Sequence, residues 1–117
     1  MDVDSLKKTT ESRILSIIVL VTCPDRKNAN KIASSLIEKK LAACVNMTSN
    51  FVSIFRWKGK IEKSSERLLI IKSKKRLLKK LIADVQQNHP YQLPEILALP
   101  IIGGSRAYID WLNNETQ

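Results

Sequence analysis

Apolar and polar residues fall into blocks along the chain, and the period of each block predicts a secondary structure. Residues 14–22 form an apolar run rich in β-branched residues, which predicts a fully buried strand. After Pro24 and Asp25, apolar residues recur at spacings of three and four positions, which predicts an amphipathic helix. Its apolar stripe consists of Ala29, Ile32, Ala33, Leu36 and Ile37.

The N-terminal region allows two interpretations. Lys7, Lys8 and Arg13 precede the first apolar run, an order that also occurs in signal peptides. No small-residue cleavage site follows the run, so we favour the strand. Residues 1–12 are polar and aperiodic. We therefore predict a flexible N-terminal tail over residues 1–12 and a single domain over residues 13–117.

A long hairpin is predicted in the middle of the chain. Residues 41–57 are mostly β-branched, aromatic or small, with a polar interruption, which indicates one bent strand or two strands in line. Lys58 and Gly59 supply a tight turn, and residues 60–71 return as a second long strand. The outer part of this hairpin carries apolar side chains that need a partner. They are Phe55, Trp57 and Ile61.

The pattern of apolar and polar residues from residue 74 onward supplies the remaining elements of the predicted fold. It predicts a helix over residues 74–87, a proline-containing loop, a strand over residues 96–102 and a short helix capped by Ser105. The order β-α-β-β-α-β plus a terminal helix is the α+β ferredoxin-like arrangement. Its helices cover one face of the sheet, yet the last strand is apolar at nearly every position, which favours burial on both faces. We therefore expect a second copy of the chain on the open face.

Composition narrows the class of protein. The chain has 117 residues, of which 44% are hydrophobic and 26% charged, as is ordinary for one soluble domain. No apolar run reaches the roughly 18 residues that a membrane-spanning helix needs, so we expect no membrane partner. Cys23 and Cys44 are too few for a disulfide framework, and reduced thiols fit a cytoplasmic protein.

The positive charge raises the possibility of an anionic partner. The net charge is +9, and residues 56–80 hold eleven Lys or Arg against Glu62 and Glu66. Such a field attracts nucleic acid or anionic surfaces. Only 5% of residues are aromatic, however, which leaves few platforms on which single strands could stack. We therefore interpret the basic residues as a solvated helix face and expect no nucleic-acid partner.

The segment before the last predicted strand concentrates candidate chemistry. It contains the only histidine, His89, together with Pro90, Tyr91, Pro94 and Glu95. The prolines disfavour helix and stiffen the loop, so an imidazole and a carboxylate are presented together, either as a ligand or metal site or in a plain connector. No Ser-His-Asp or Cys-His set and no phosphate-binding glycine loop is apparent. We predict that the protein is not an enzyme.

A set of short motifs in a fixed order gives the chain a family resemblance. They cover about residues 16–113, and the chain resembles the CutA divalent-cation-tolerance proteins. The motifs are Thr22-x-Pro24, Leu41-Ala42-Ala43-Cys44-Val45-Asn46, Ser53-x-Phe55-x-Trp57-x-Gly59-Lys60, Glu66-x-x-Leu69-Ile70-Ile71-Lys72, His89-Pro90-Tyr91-x-x-Pro94-Glu95-Ile96 and Tyr108-Ile109-x-Trp111.

The resemblance implies a ferredoxin-like subunit that forms a homotrimer through its long hairpins, similar in architecture to the PII signalling proteins. It also implies a cytoplasmic, non-enzymatic protein linked to copper tolerance. No cofactor is required, and copper or another divalent metal is the implied ligand. The alternatives are a PII-like trimer that senses a small molecule or anion, and a basic nucleic-acid-binding protein.

The implied metal site is incomplete in this chain. Copper binding in some members of the family has been attributed to a cysteine late in the first strand and to two adjacent histidines. Val21 and Asn88 stand at two of these positions here, and only His89 remains. Tight copper or zinc binding needs several converging ligands. The candidate metal ligands are therefore His89, Glu95 and Cys44.

The resemblance also implies a cleft between subunits, lined by further polar and aromatic positions. A small polar or anionic ligand would suit an aromatic wall with a lysine, an acid and an imidazole. Alternatively, Trp57 and Tyr91 pack the interface while Lys72 pairs with Glu95. The candidate cleft residues, beside His89 and Glu95, are Trp57, Glu66, Lys72 and Tyr91.

Overall fold

The structure, a computed structural model, describes residues 16–117. The predicted tail over residues 1–12 and the first two residues of the first predicted strand lie outside this range. The described part contains five strands and three α-helices. They are β1 (Ser16–Cys23), α1 (Arg26–Glu38), β2 (Cys44–Met47), β3 (Phe51–Trp57), β4 (Lys60–Lys74), α2 (Leu78–Asn88), β5 (Ile96–Pro100) and α3 (Arg106–Asn114).

The strands form one antiparallel sheet in the order β2-β4-β1-β5, and β3 pairs with the outer part of β4. In the centre, Val19 lies opposite Ile71 on one side and Ala98 on the other. The hairpin runs from Phe51 opposite Glu66 to Trp57 opposite Lys60. This topology confirms the predicted α+β ferredoxin-like βαββαβ fold with a long central hairpin and a C-terminal helix.

The first helix begins and ends on local signals. The Asp25 side chain accepts a hydrogen bond of 2.8 Å from the backbone N–H of Asn28, which caps α1 and lowers the pKa of the Asp25 carboxyl. Four of the five residues of the predicted apolar stripe are buried, and the fifth, Ile37, is 43% exposed. Lys40 follows the helix with a φ of 57°, the left-handed conformation that ends many helices.

The long predicted strand before the turn is two strands in line, one of the two alternatives. The break is at Thr48, whose hydroxyl accepts a hydrogen bond of 2.9 Å from the N–H of Leu68 while its own N–H donates to the Leu68 carbonyl at 3.0 Å. At the tip, Lys58 and Gly59 have φ values of 49° and 78°. Two successive positive φ values are typical of the tight turns that match the twist of a hairpin.

Two predicted boundaries were wrong. Lys74, predicted as helical, is the last residue of β4, because it pairs with Ser16 across the sheet. The α-helix therefore starts only at Leu78, after a 3₁₀ turn. The last strand ends at Pro100 and not at residue 102, and its ladder with β1 closes where the N–H of Ile101 donates to the carbonyl of Ser16.

The two faces of the sheet differ in how much of them the helices cover. Helices α1 and α2 bury one face, where Val19, Val21, Leu69 and Ile71 are inaccessible to solvent. On the opposite face apolar residues are half-buried or exposed, and α3 contacts β1 and β4 near Ser16. We call this surface the open sheet face. It consists of Ile18, Leu20, Leu68, Ile70, Leu97 and Leu99.

The hairpin makes the molecule elongated. Its principal extents are 56 × 31 × 23 Å, and its radius of gyration is 16.1 Å. A compact domain of this length has a radius of gyration of about 13 Å. The tip of the hairpin therefore projects beyond the layer of sheet and helices. Within residues 16–117, none of the helices has both the length and the apolarity to cross a membrane.

Candidate functional site

The imidazole of His89 is buried and fully engaged by the backbone. The residue leaves the end of α2 in an extended conformation. The N–H of Tyr91 donates to Nδ1 at 3.1 Å, and Nε2 lies 2.7 Å from the carbonyl oxygen of Thr22. Because Nδ1 accepts, the ring proton lies on Nε2 and is donated to Thr22. His89 thus fastens the loop to the end of β1, and neither ring nitrogen is left for a metal ion.

A buried carboxylate lies next to this loop. Glu66 on β4 is only 6% exposed, and the Tyr91 hydroxyl lies beside it and Ser64. Within residues 16–117 Glu66 forms no ion pair. Burial raises the pKa of Tyr91, and the negative charge of Glu66 raises it further. At neutral pH the Tyr91 hydroxyl is therefore protonated and able to donate a hydrogen bond.

Cys23 is part of the same neighbourhood, although the sequence indicated only a buried thiol. Its side chain is inaccessible to solvent, and its Sγ lies 3.8 Å from the carbonyl oxygens of Asp25 and Arg67. Burial, followed by the charges of Asp25 and Glu66, raises the pKa of the Cys23 thiol to about 11. The only signal in the sequence was its position between Thr22 and Pro24 in the first motif. We define the loop cluster as Cys23, Glu66, His89 and Tyr91.

Two of the predicted site residues lie together in a different place. Cys44 on β2 is directly opposite Lys72 on β4, and their Sγ and Nζ atoms are 3.9 Å apart. Lys72 Nζ also donates to the side-chain oxygen of Asn46. We define the edge cluster as Cys44, Asn46 and Lys72. Six positions along β4 separate Lys72 from Glu66, which corresponds to about 20 Å of strand.

The last cleft residues are also dispersed. Trp57 lies opposite Lys60 at the hairpin tip, six positions from Glu66 in the other direction along β4, again about 20 Å of strand. Glu95 is exposed just before β5. Lys72 and Glu95, which could have paired, form no ion pair within residues 16–117. One chain therefore brings Glu66, Tyr91 and His89 together and leaves Trp57, Lys72 and Glu95 apart from them or unpaired.

The candidate metal ligands do not converge within one chain. Cys44 belongs to the edge cluster, whereas His89 belongs to the loop cluster. Within residues 16–117 there is no group of three or more His, Cys, Asp or Glu side chains that could hold a metal ion. The described residues of a single chain therefore do not fit a copper site, and a site using His89, Glu95 and Cys44 stays a prediction.

The two positions that depart from the implied copper site have structural roles. Val21 lies in the core against the helices. The Asn88 amide donates to the Asp84 carbonyl at 2.8 Å and to the Ser35 hydroxyl at 3.4 Å. Asn88 therefore joins α2 to α1.

A buried polar network between the two helices was not predicted from the sequence. Asp84 on α2 accepts from the Ser35 hydroxyl at 2.8 Å and from Lys39 Nζ at 2.5 Å. Its partners are Ser35 on α1 and Lys39 directly after that helix, so the network fixes how the helices pack. The available signal was spacing, because Asp84 lies between the buried Leu81 and Val85 on the same helix face.

Comparison with known proteins decides the family. A family model described as CutA1 divalent ion tolerance protein matches residues 17–115. The chain belongs to the CutA1 family. The chloroplastic protein CutA of Arabidopsis thaliana is 48% identical over 102 residues, covering 87% of this chain and 56% of that protein. The divalent-cation tolerance protein CutA of Thermus thermophilus is 44% identical over 99 residues, covering 85% of this chain and 96% of that protein.

Solved CutA1 structures share the fold. A divalent cation tolerance protein of Thermus thermophilus matches with a TM-score of 0.87 at 43% identity, covering 88% of this chain and all of that chain. CutA1 of Oryza sativa matches with a TM-score of 0.86 at 43% identity, covering 91% and 97%. The present chain spans little more than half of the chloroplastic CutA protein from Arabidopsis thaliana, at 56% of its length. The names of the family and of the Thermus thermophilus relative refer to cation tolerance and not to a reaction.

Proposed function

We propose that the protein acts in divalent-cation tolerance as a non-enzymatic homotrimer whose ligand site is an intersubunit cleft beside the loop cluster. The observation that carries this proposal is apolar surface that residues 16–117 of one chain leave uncovered. Val52, Ile54 and Ile61 on the hairpin are 66%, 65% and 69% exposed, and the open sheet face adds further area. Soluble monomers rarely expose contiguous apolar patches of this kind unless they bind a partner.

The hairpin favours a ring of subunits over a simple pair. By register, Val52, Ile54 and Ile61 project from one face of the hairpin, and Phe55 and Trp57 project from the other. All five side chains are exposed. A two-fold contact uses one self-complementary patch, whereas a cyclic ring gives each subunit two different neighbours. A trimer can therefore cover both faces of the hairpin.

The loop cluster lies where the hairpin leaves the sheet, so a neighbouring hairpin would close a cleft over it. Glu66 offers carboxylate oxygens without an ion pair in the described chain, and Tyr91 offers a protonated hydroxyl. His89 fixes the loop that carries Tyr91. Because residues 16–117 of one chain hold no group of metal ligands, metal binding in this cleft would need ligands from more than one subunit.

Light scattering combined with copper(II) titration tests the proposal. The wild-type protein is expected to have the mass of three subunits, and Ile54→Asp is expected to have a lower mass, because the carboxylate cannot be buried at the interface. If the cleft binds copper, saturable heat appears with the wild type and is lost in Ile54→Asp. The matched control is Lys79→Asp at an exposed position of α2, which introduces the same carboxylate away from the hairpin. A wild-type mass of one subunit at micromolar concentration would exclude the trimer.

A second candidate is a PII-like trimer that binds a small polar molecule in the same cleft. It is favoured because Glu66 and Tyr91 supply polar groups while residues 16–117 hold no group of metal ligands. Under this alternative, copper titration gives the same weak heat for the wild type and Glu66→Gln. A screen of small polar molecules by thermal shift would then find a ligand whose effect Glu66→Gln removes.

A further inference from the structure

Three basic side chains from successive elements converge on one residue, Gln117, which follows α3. Lys74 Nζ donates to the backbone oxygen of Gln117 at 3.0 Å, and the Arg76 guanidinium donates to the same oxygen at 2.5 Å. Lys80 Nζ donates to the side-chain oxygen of Gln117 at 3.5 Å. Lys74 ends β4, Arg76 lies in the 3₁₀ turn, and Lys80 lies in the first turn of α2. We define the basic cluster as Lys74, Arg76 and Lys80.

No carboxylate side chain within residues 16–117 neutralises the basic cluster. The single ion pair found in that range joins Lys39 to Asp84. Burial lowers the pKa of Lys74, and the positive charge of Arg76 lowers it further, so the two cations repel each other. The side-chain acceptor that Gln117 offers is a neutral amide. An anion in its place would add charge attraction to the same hydrogen bonds and relieve the repulsion.

We propose that the basic cluster binds a diphosphate group, whose oxygens take the places of the two Gln117 oxygens. The backbone and side-chain oxygens of one glutamine are separated by only a few bonds, a span that two linked phosphate groups also cover. Arg76 presents a planar fork of donors that suits a phosphate, and the two lysines add positive charge. Gln117 then competes with the ligand for the same donors.

The contacts of Gln117 allow this exchange without unfolding α3. Gln117 is exposed, and its remaining hydrogen bonds go to two backbone oxygens, from its N–H to Lys40 at 2.9 Å and from its side-chain amide to Lys39 at 2.7 Å. Thr116 before it is buried, and its hydroxyl donates to the Leu112 carbonyl at 3.2 Å. Displacement is therefore confined to Gln117.

The basic cluster is accessible in the proposed trimer and separate from the cleft. Lys60 and Lys74 are the two ends of the 15-residue strand β4, so about 45 Å of strand lies between the hairpin turn and the cluster. Arg76 and Lys80 are exposed and belong to the turn and the helix that follow β4 on the covered side of the sheet. The trimer contacts use the hairpin and the open sheet face.

Calorimetric titration of inorganic diphosphate into the assembled protein at physiological salt tests this proposal. The wild type is expected to bind one diphosphate per subunit, more tightly than it binds orthophosphate. Arg76→Gln should weaken binding about tenfold or more, because it removes a charged hydrogen bond. The matched control is Lys75→Gln, which removes the same charge from an exposed neighbour that is not a donor to Gln117. Its affinity should change by about twofold or less, since salt screens exposed charges.

Two variants of the competing residue keep the whole basic cluster. Gln117→Ala removes the side-chain competitor and should bind diphosphate more tightly, whereas Gln117→Glu adds a competing carboxylate and should bind it more weakly. Equal circular dichroism spectra and thermal midpoints establish that the variants fold. A nucleoside diphosphate that binds more tightly than inorganic diphosphate would identify the source as a nucleotide, and equal or weaker binding would identify a free polyphosphate.

Three results would overturn the proposal. The first is the lack of saturable binding by the wild type. The second is an equal loss of affinity in Arg76→Gln and Lys75→Gln, which would assign the binding to the overall positive field. The third is an affinity that neither Gln117 variant changes, because Gln117 would then not occupy the ligand's place.

Discussion

The inner and outer halves of β4 are parts of one strand in contrasting surroundings. The inner half, residues 67–74, pairs with β1 and β2 and buries Leu69 and Ile71 beneath the helices. The outer half, residues 60–66, pairs with β3 and leaves Ile61 exposed. The inner half therefore stabilises the subunit, while the outer half presents apolar surface to a partner. Glu66 lies at the boundary between the two.

The largest effect is expected from shortening a side chain in the inner half. Leu69→Ala should lower the free energy of unfolding by about 2–5 kcal/mol, because it removes a fully buried side chain and leaves a cavity. Chemical denaturation at fixed protein concentration measures the change. The control is Lys63→Ala in the outer half, expected to stay within about 0.5 kcal/mol. A similar loss of stability in both variants would contradict the conclusion that the inner half of β4 stabilises the subunit more than the outer half does.

Alkaline pH should lower the stability of the fold through Cys23. This residue lies opposite Arg67 at the boundary between the two halves of β4, and its thiol is inaccessible to solvent. The folded-state pKa of its thiol, about 11, lies above the ordinary value of 9.0. The neutral thiol therefore stabilises the fold fully below pH 9, and this contribution falls as pH rises towards 11. Its size is at most about 3 kcal/mol, since one pKa unit corresponds to about 1.4 kcal/mol.

The measurement is the free energy of unfolding against pH for the wild type and Cys23→Ala. Between pH 9 and 11 the wild type should lose stability more steeply than the variant, because only the wild type has the thiol to ionise. Other groups titrate in both proteins and cancel in the difference. Parallel profiles of the two proteins would show that burial does not raise the pKa of the Cys23 thiol.

The turn at the end of the outer half should cost less to alter. Gly59 has a φ of 78°, and a Cβ added there would meet no atom within 4 Å. The cost of Gly59→Ala is therefore conformational, about 1–2 kcal/mol for a left-handed residue. Thermal unfolding measures it, with Gly103→Ala as a control at a glycine whose added Cβ is also unobstructed. An equal loss of stability in both variants would show that the left-handed backbone at Gly59 is not its cause.

The smallest effect on the fold is expected for Ile61→Ser. Ile61 is exposed in one chain, so the subunit itself should change by about 0.5 kcal/mol or less. Assembly should weaken, because apolar surface at the proposed interface is removed. Light scattering across a dilution series should show dissociation at a higher concentration than in the wild type. Unchanged assembly would place the interface elsewhere.

Local sequence patterns predicted most of the fold. The helical stripe, the polar break near Thr48 and the Lys58-Gly59 turn each depend on nearby residues, and each gave the right element. The errors came from distant partners. Lys74 is extended because it pairs with Ser16, and the start of α2 depends on where that pairing stops.

The site was less accessible to such reasoning. The family resemblance named Glu66, His89 and Tyr91, and the structure brings these three together. Spacing along the chain could not show that Cys44 lies opposite Lys72, because the register of β2 on β4 is set across the sheet. Nor could it show that backbone groups use both nitrogens of His89. Those facts depend on three-dimensional contacts between distant segments.

The central position of β4 also has a kinetic consequence. The β3–β4 hairpin joins neighbouring segments, and hairpins form within about 1–10 μs. Pairing of β1 with β4 and β5 joins distant segments and is slower, since closing a long loop costs more entropy. The apolar hairpin is therefore expected to form before the sheet is complete. During synthesis, neighbouring chains would meet through their hairpins while each subunit is still folding.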